Sequence, residues 1–142
     1  MAIEKVREYL KKFGADGRIM EFDVSSATVE LAAVAVGTEP RRIAKTMAFS
    51  IKEKYILIVC AGDVKIDNHK YKSFFGAKAK MLTPEETACH IGHAVGGVCP
   101  FAVPDEVEIY LDESLRRFET VFPACGSSNS AIEFNMEERS KY

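Results

Sequence analysis

The chain has 142 residues, 47% of them hydrophobic and 28% charged, a balance that excludes disorder and a collagen-like repeat. It fits one domain, residues 1–142, that buries roughly two thirds of its unfolded surface. The formal net charge of −2 hides an uneven distribution: residues 38–80 hold ten Lys/Arg against four Asp/Glu, whereas residues 104–142 hold four against nine. Such a chain can turn one basic face toward a polyanion and stay soluble, without the indiscriminate nucleic-acid binding of a strongly basic protein.

Apolar runs such as Leu31–Val36 fall far short of the roughly 20 residues of a membrane helix. The opening Met1-Ala2-Ile3-Glu4-Lys5 lacks a signal-peptide core. A cytoplasmic protein with no membrane partner is expected. The four cysteines, 60, 89, 99 and 125, form no C-x-x-C pair and read as free thiols of a reducing compartment. Cys89-His90-Ile91-Gly92-His93 is the best metal-like cluster, and no second cluster completes it, so neither a metal nor a cofactor is expected.

In chain order, Ile3, Val6, Leu10 and Phe13 recur at helical spacing before a Gly14 stop. Arg18 to Asp23 alternates as a strand. Ser25 and Ser26 are the caps expected for a helix running to Gly37, and Pro40 opens a short helical turn ending near Ala44. Lys45–Ser50 and Tyr55–Ala61 read as strands, the second apolar on both faces and therefore central. Asp67 caps a helix reaching Phe75, Lys78–Leu82 reads as a short strand, and Thr83-Pro84-Glu85-Glu86 is a complete capping box for a helix that stops at Gly92. Residues 92–104, with three Gly and two Pro, read as a loop. Strands follow at Glu108–Leu111, Phe118–Phe122 and Ser130–Phe134, with a turn over Pro123 to Ser128 and a last helical turn after Asn135. The fold class is α+β, a mixed and mostly antiparallel sheet covered by helices.

Candidate chemistry sits in the two glycine-bearing loops and at Lys45, which opens a strand. Adjacent Gly96 and Gly97 leave main-chain N–H groups unobstructed, and so form either an anion-binding nest or oxyanion hole, or a plain tight turn. Lys45 alone reads more readily as a solubilising strand-edge residue. Cys99 with His93, six residues apart, is a conceivable thiol nucleophile and base, but no third group is placed to orient the histidine.

Three segments together, Arg42 to Phe49, Gly92 to Phe101 and Gly126 to Phe134, resemble the landmarks of the YbaK/ProX aminoacyl-tRNA deacylases, relatives of the editing insertion domain of bacterial prolyl-tRNA synthetase. The resemblance covers residues 15–139. It implies trans-editing, the hydrolysis of the ester joining a wrong amino acid to the terminal adenosine of a tRNA, usually that for proline. Editing is needed because one methylene supplies only about 1–3 kcal/mol of discrimination. By the same resemblance Lys45 holds the terminal phosphate or positions the acceptor end, and the amides of Gly96 and Gly97 face the scissile carbonyl. The substrate's ribose hydroxyl assists the attacking water, and His93 is a candidate for proton transfer. Phe22, Ser26, Thr28, Pro100, Phe101, Gly126, Ser127 and Asn129 are expected at the amino-acid pocket, and Lys65, Lys70, Lys72, Lys78 and Lys80 along the acceptor stem. Expected partners are aminoacyl-tRNA, with tRNA(Pro) foremost, and prolyl-tRNA synthetase. Ala102 departs from the family pattern, where a third glycine is frequent. Two other functions remain: a tRNA- or synthetase-binding module without catalysis, and a hydrolase dependent on Cys99.

Overall fold

The structure, a computed structural model, describes residues 2–93, 97–104, 106–127 and 129–135. Helix α1 (Ala2–Lys11) lays Val6 and Leu10 into a cluster with Cys99, Phe101, Cys125, Ile132 and Phe134. Strand β1 (Ile19–Glu21) pairs antiparallel with β6 (Ser130–Ile132) to form a two-stranded sheet beneath it. Helix α2 (Val29–Val36) ends at Gly37 in the left-handed conformation, as expected. Its cap, however, is Thr28, whose hydroxyl accepts the Leu31 N–H at 3.2 Å. Ser25 instead accepts from the Ala27 N–H, and Ser26 is drawn inward to donate to the Ser130 carbonyl at 3.4 Å. Neither serine is therefore left to cap the helix.

A 3-10 turn at Pro40–Arg42 leads into β2 (Ile43–Ile51), which pairs antiparallel with β3 (Lys54–Ala61) in unbroken register from Ala44↔Ala61 to Ile51↔Lys54. Residues Ile56 to Ala61 of β3 are all buried, in keeping with a strand covered on both faces. On one side Phe49, Ile56 and Ile58 pack against Tyr71 of α3 (Asn68–Phe75). On the other, Ala48 and Leu57 meet Leu82, Ile91 and Val107, while Ala44 and Val59 meet Leu115 and Val121. The β3 end is pinned at Gly62. A side chain there would lie 2.2 Å from the Pro40 carbonyl oxygen and 2.6 Å from Val29 Cγ1, so only glycine lets α2 approach this closely.

The Asp67 cap of α3 and the reciprocal Thr83/Glu86 capping box of α4 (Pro84–His90) form as the sequence predicts. The strand expected over 78–82 shrinks to one bridge, Phe49↔Met81, because the capping box turns the chain away from the sheet immediately afterwards. Strand β4 (Glu108–Leu111) pairs parallel with β3. Glu113–Arg117, not anticipated as an element, is a 3-10 helix capped by Asp112. Strand β5 (Thr120–Pro123) pairs parallel with β2, and antiparallel with β7 (Phe134–Asn135). The larger sheet has the order β4-β3-β2-β5-β7. The single strand expected over Ser130–Phe134 is thus two, since the chain changes sheets at the exposed Glu133. The helical turn expected after Asn135 lies outside the described residues. Among the described residues no helix is long and apolar enough to cross a membrane.

Candidate functional site

The two edges of β2 are treated differently. One is covered by β3 along its whole length. The other is covered in two pieces: β5 pairs only with Ile43 and Ala44, and the segment around Met81 reaches only Ala48 to Ser50, through Leu82 N–H to Ala48 C=O (3.0 Å) and Ser50 N–H to Lys80 C=O (2.9 Å). Residues 45–47 lie between these pieces. A cavity of about 280 Å³ opens there, walled by Ser26 to Val29 and Ala32 of the α2 entry, by Ala44 to Ala48, by Met81, Leu82 and Thr87, and by Val98, Ala124 and Ala131. Small side chains dominate this wall.

Lys45 is half-buried on the wall. Its register partner on β3 is Cys60, whose thiol is pushed up to about 11, chiefly by burial, while the Lys45 ammonium beside it pulls the other way. The cation is therefore held close to the sheet, in the interval that neither covering segment closes.

Of the residues expected at the amino-acid pocket, Ser26 and Thr28 line the cavity. Phe22 and Asn129 do not: they brace one another, Phe22 N–H donating to the Asn129 carbonyl (2.8 Å) and Asn129 Nδ2 to the Phe22 carbonyl (3.0 Å). Ser127 Oγ lies 2.7 Å from Ser130 Oγ and 3.0 Å from Asn129 Oδ1, tying the turn to the cavity rim. Pro100 and Phe101 are buried away from the wall; the Phe101 ring packs beneath α1 and against Phe134, 5.2 Å between centroids, where it finds more apolar surface.

The two glycine loops meet directly. Gly126 N–H donates to the Gly97 carbonyl at 3.0 Å. A Cβ on Gly97 would lie 2.6 Å from Ser127 N and 2.7 Å from the Gly126 carbonyl carbon. Glycine is thus required at 97 for close approach. Val98, next in the chain, is on the cavity wall. Gly96 lies outside the described residues.

His93 is not on that wall. It is 1% exposed, its Nε2 donating to the Phe101 carbonyl at 2.8 Å, and its Nδ1 has no partner among the described residues. Burial holds its pKa below the ordinary histidine value. Cys99 Sγ lies 3.7 Å from His93 Nε2, yet the thiol is fully buried and pushed up to about 12. With the Nε2 proton committed to a carbonyl, the histidine cannot take the thiol proton through that atom. The pair is a packed strap inside the loop rather than a nucleophile and base. Cys89 is exposed and His90 stacks on Tyr55 at 4.3 Å, so the Cys89-His90-His93 cluster is dispersed.

Lys65, Lys70, Lys72, Lys78 and Lys80 are all exposed. Lys70 and Lys72 lie on α3, and Lys78 and Lys80 on the segment that runs from it to Met81 at the cavity mouth. Among the wall residues that sequence reasoning did not single out are Thr46, Thr87, Met81 and Val98. Of these, Thr46 stands beside Lys45 in the first landmark, and that adjacency was the available signal.

The family profile described as aminoacyl-tRNA editing domain matches residues 23–142. The uncharacterized protein YwhH of Bacillus subtilis (strain 168) is 49% identical over all of this chain and 91% of its own length. The proline--tRNA ligase of Geobacillus sp. (strain WCH70) is 27% identical over 75% of this chain, which spans only 19% of that ligase. A solved structure described as a candidate trans-editing enzyme for prolyl tRNA synthetase superposes with a TM-score of 0.87 at 28% identity, covering 96% of this chain and 88% of that one. The solved hypothetical protein APE2540 gives 0.86 at 26% identity, covering 96% and 92%.

Proposed function

The chain belongs to the aminoacyl-tRNA editing domain family, and from that premise we propose that it hydrolyses the ester of mischarged aminoacyl-tRNA, with tRNA(Pro) as the RNA and no protein nucleophile. The observation that carries this reading is the position of Lys45, a cation on the wall of a small cavity where β2 is left uncovered. At about 280 Å³ the cavity lies just under the roughly 300–1,000 Å³ of sites for drug-sized ligands. It suits an acyl group, with the RNA remaining outside.

In this reading the Lys45 ammonium meets the terminal phosphate. The main-chain amides of Gly96 and Gly97 polarise the scissile carbonyl, where loss of one such donor typically lowers the rate about 10²–10³-fold. The neighbouring ribose hydroxyl orients the attacking water, since an aminoacyl ester is already an activated acyl donor. The exposed Lys65, Lys70, Lys72, Lys78 and Lys80 follow the acceptor stem, and each phosphate contact adds to the salt dependence of binding. Ser26 and Thr28 belong to the amino-acid wall. His93 is given no part in proton transfer, because it is buried off the wall with its Nε2 proton engaged.

The test is incubation of the purified protein with tRNA(Pro) carrying Ala, Cys, Ser or Thr. Release of one or more of these amino acids, with Pro-tRNA(Pro) spared, supports the reading. Tight, salt-sensitive tRNA binding without release of any of them refutes it in favour of a binding module.

A further inference from the structure

The cavity wall carries five hydroxyl side chains, and four are engaged within the protein. Ser26 donates to the Ser130 carbonyl, Thr28 accepts from Leu31 N–H, Thr87 donates to the Thr83 carbonyl, and Ser130 is bonded to Ser127. Thr46 Oγ1 is the exception: it is buried and has no partner among the described residues. Buried polar groups in folded proteins are nearly always paired, so an orphan on a cavity wall points to a ligand.

Among the described residues the main chain at Thr46 also meets no backbone partner on its outer side. Along an antiparallel strand, alternate residues turn both N–H and C=O to the same edge. Ala48 and Ser50 bond outward, to Leu82 and Lys80, and the β2–β3 register has no slip, so Thr46 aims its N–H and C=O outward too. Continued in the Phe49↔Met81 register, the residue facing Thr46 would be Pro84. That residue instead opens α4 after the Thr83 cap. The outer strand is thus diverted just before it would cover Thr46.

We propose that this vacancy receives the acyl group of an α-amino acid ester as a strand one residue long, running antiparallel to β2. Thr46 N–H donates to the ester carbonyl, the Thr46 carbonyl accepts from the α-ammonium, and Oγ1 accepts a second ammonium proton. An α-aminoacyl group is the smallest molecule carrying the nitrogen donor and carbonyl acceptor of one strand residue, which is the logic of peptide addition to a sheet edge reduced to its unit. Residues opposite one another in a sheet share a face, so the acyl side chain lies over Ala44 and Ala48, facing Leu82 and Val98. Thr46 is accordingly a positioning residue for the whole class of α-aminoacyl esters, whatever their side chain. The proposal rests on the editing reading for the RNA half of the substrate and on the strand edge for the acyl half.

The test uses 3′-alanylamino-3′-deoxyadenosine, a stable amide mimic of the aminoacylated terminus, and its propanoyl counterpart lacking the α-amino group, titrated calorimetrically into wild type and Thr46→Val. We expect the propanoyl probe to bind wild type about 10-fold or more weakly than the alanyl probe, the loss of a charge-assisted hydrogen bond. Thr46→Val should weaken the alanyl probe about 3- to 10-fold and leave the propanoyl probe unchanged, while raising the thermal midpoint of the free protein by about 2 °C, because an orphan is removed. Equal binding of the two probes to wild type, an unchanged affinity in Thr46→Val, or no binding of the alanyl probe overturns the proposal. Deacylation of Ala-tRNA(Pro) is measured in parallel: probe binding as expected with an intact ester would refute editing and leave the anchoring role of Thr46 standing.

Discussion

Gly97→Ala is the sharpest test of how the two glycine loops build the site. The added Cβ would lie 2.6 Å from Ser127 N, 2.7 Å from the Gly126 carbonyl carbon and 2.8 Å from Ser127 Cα. All three are main-chain atoms, so no side chain can swing aside and the loops must part. Overpacking of this kind typically costs about 1–3 kcal/mol. Parting also stretches the Gly126 N–H to Gly97 carbonyl bond, 3.0 Å long, worth about 0.5–1.5 kcal/mol net. The combined loss is about 1.5–4.5 kcal/mol, and with an unfolding entropy near 0.3 kcal/mol/K for a chain of this length it lowers Tm by about 5–15 °C. The assay is calorimetric unfolding beside Gly17→Ala, where an added Cβ meets nothing within 4 Å and Tm should hold. A Gly97→Ala protein that melts with wild type would refute the interlocking of the loops. Because Val98 follows directly on the cavity wall, deacylation at a temperature where the variant is folded should also fall.

Lys45→Ala should leave stability within about 1 kcal/mol, as for a position that is not fully buried, while lowering deacylation about 10²-fold or more through loss of a fixed charge at the site; denaturant midpoints and single-turnover rates check the two halves. Thr83→Ala removes the reciprocal cap of α4 and should cost about 1 kcal/mol, seen as a Tm lower by about 3 °C. Stability should also fall in alkali. The buried thiols of Cys60 and Cys99 stand at about 11 and about 12 against an ordinary 9.0, and burial raises Cys125 further. Above pH 9 the unfolded chain releases these protons while the folded chain keeps them, so the folded state binds more protons and loses stability as pH rises. The slope is about 1.4 kcal/mol per pH unit for each thiol ionised only when unfolded. Thermal midpoints at pH 8 and 10.5 measure it, and Cys99→Ala should flatten the dependence even though its midpoint at pH 8 is lower.

Local grammar carried much of the architecture. Asp67 and the Thr83-Pro84-Glu85-Glu86 box define α3 and α4 because each cap is completed by atoms within three residues. The cap of α2 was misjudged because Ser25, Ser26 and Thr28 are chemically equivalent candidates, and the decision falls to a partner 104 residues away, the Ser130 carbonyl. The split of Ser130–Phe134 between two sheets is likewise a matter of where the pairing partners stand, Met20 opposite Ala131 and Val121 opposite Phe134. Lys45 became a favoured candidate only through the resemblance of three segments, since a single lysine on a strand has no distinctive local signature; its place on the cavity wall is a product of the fold. Thr46 escaped notice because threonine is at home in any strand; what distinguishes it is a buried hydroxyl without a bond partner among the described residues, a property of the assembled fold. Phe101 and His93 were assigned to the site by their neighbours in sequence, yet apolar packing beneath α1 holds Phe101 in the interior, and the hydrogen bond to the Phe101 carbonyl holds His93 there.

The aperture at residues 45–47 has jaws that are far apart in the chain, β5 on one side and the Met81 segment on the other. Its width can therefore be retuned by substitutions in either jaw while the strand that bears the lysine stays untouched. On the editing reading proposed above, a lineage could drift from one amino acid to another by reshaping the doorway alone, so that what is admitted would be inherited separately from what reacts.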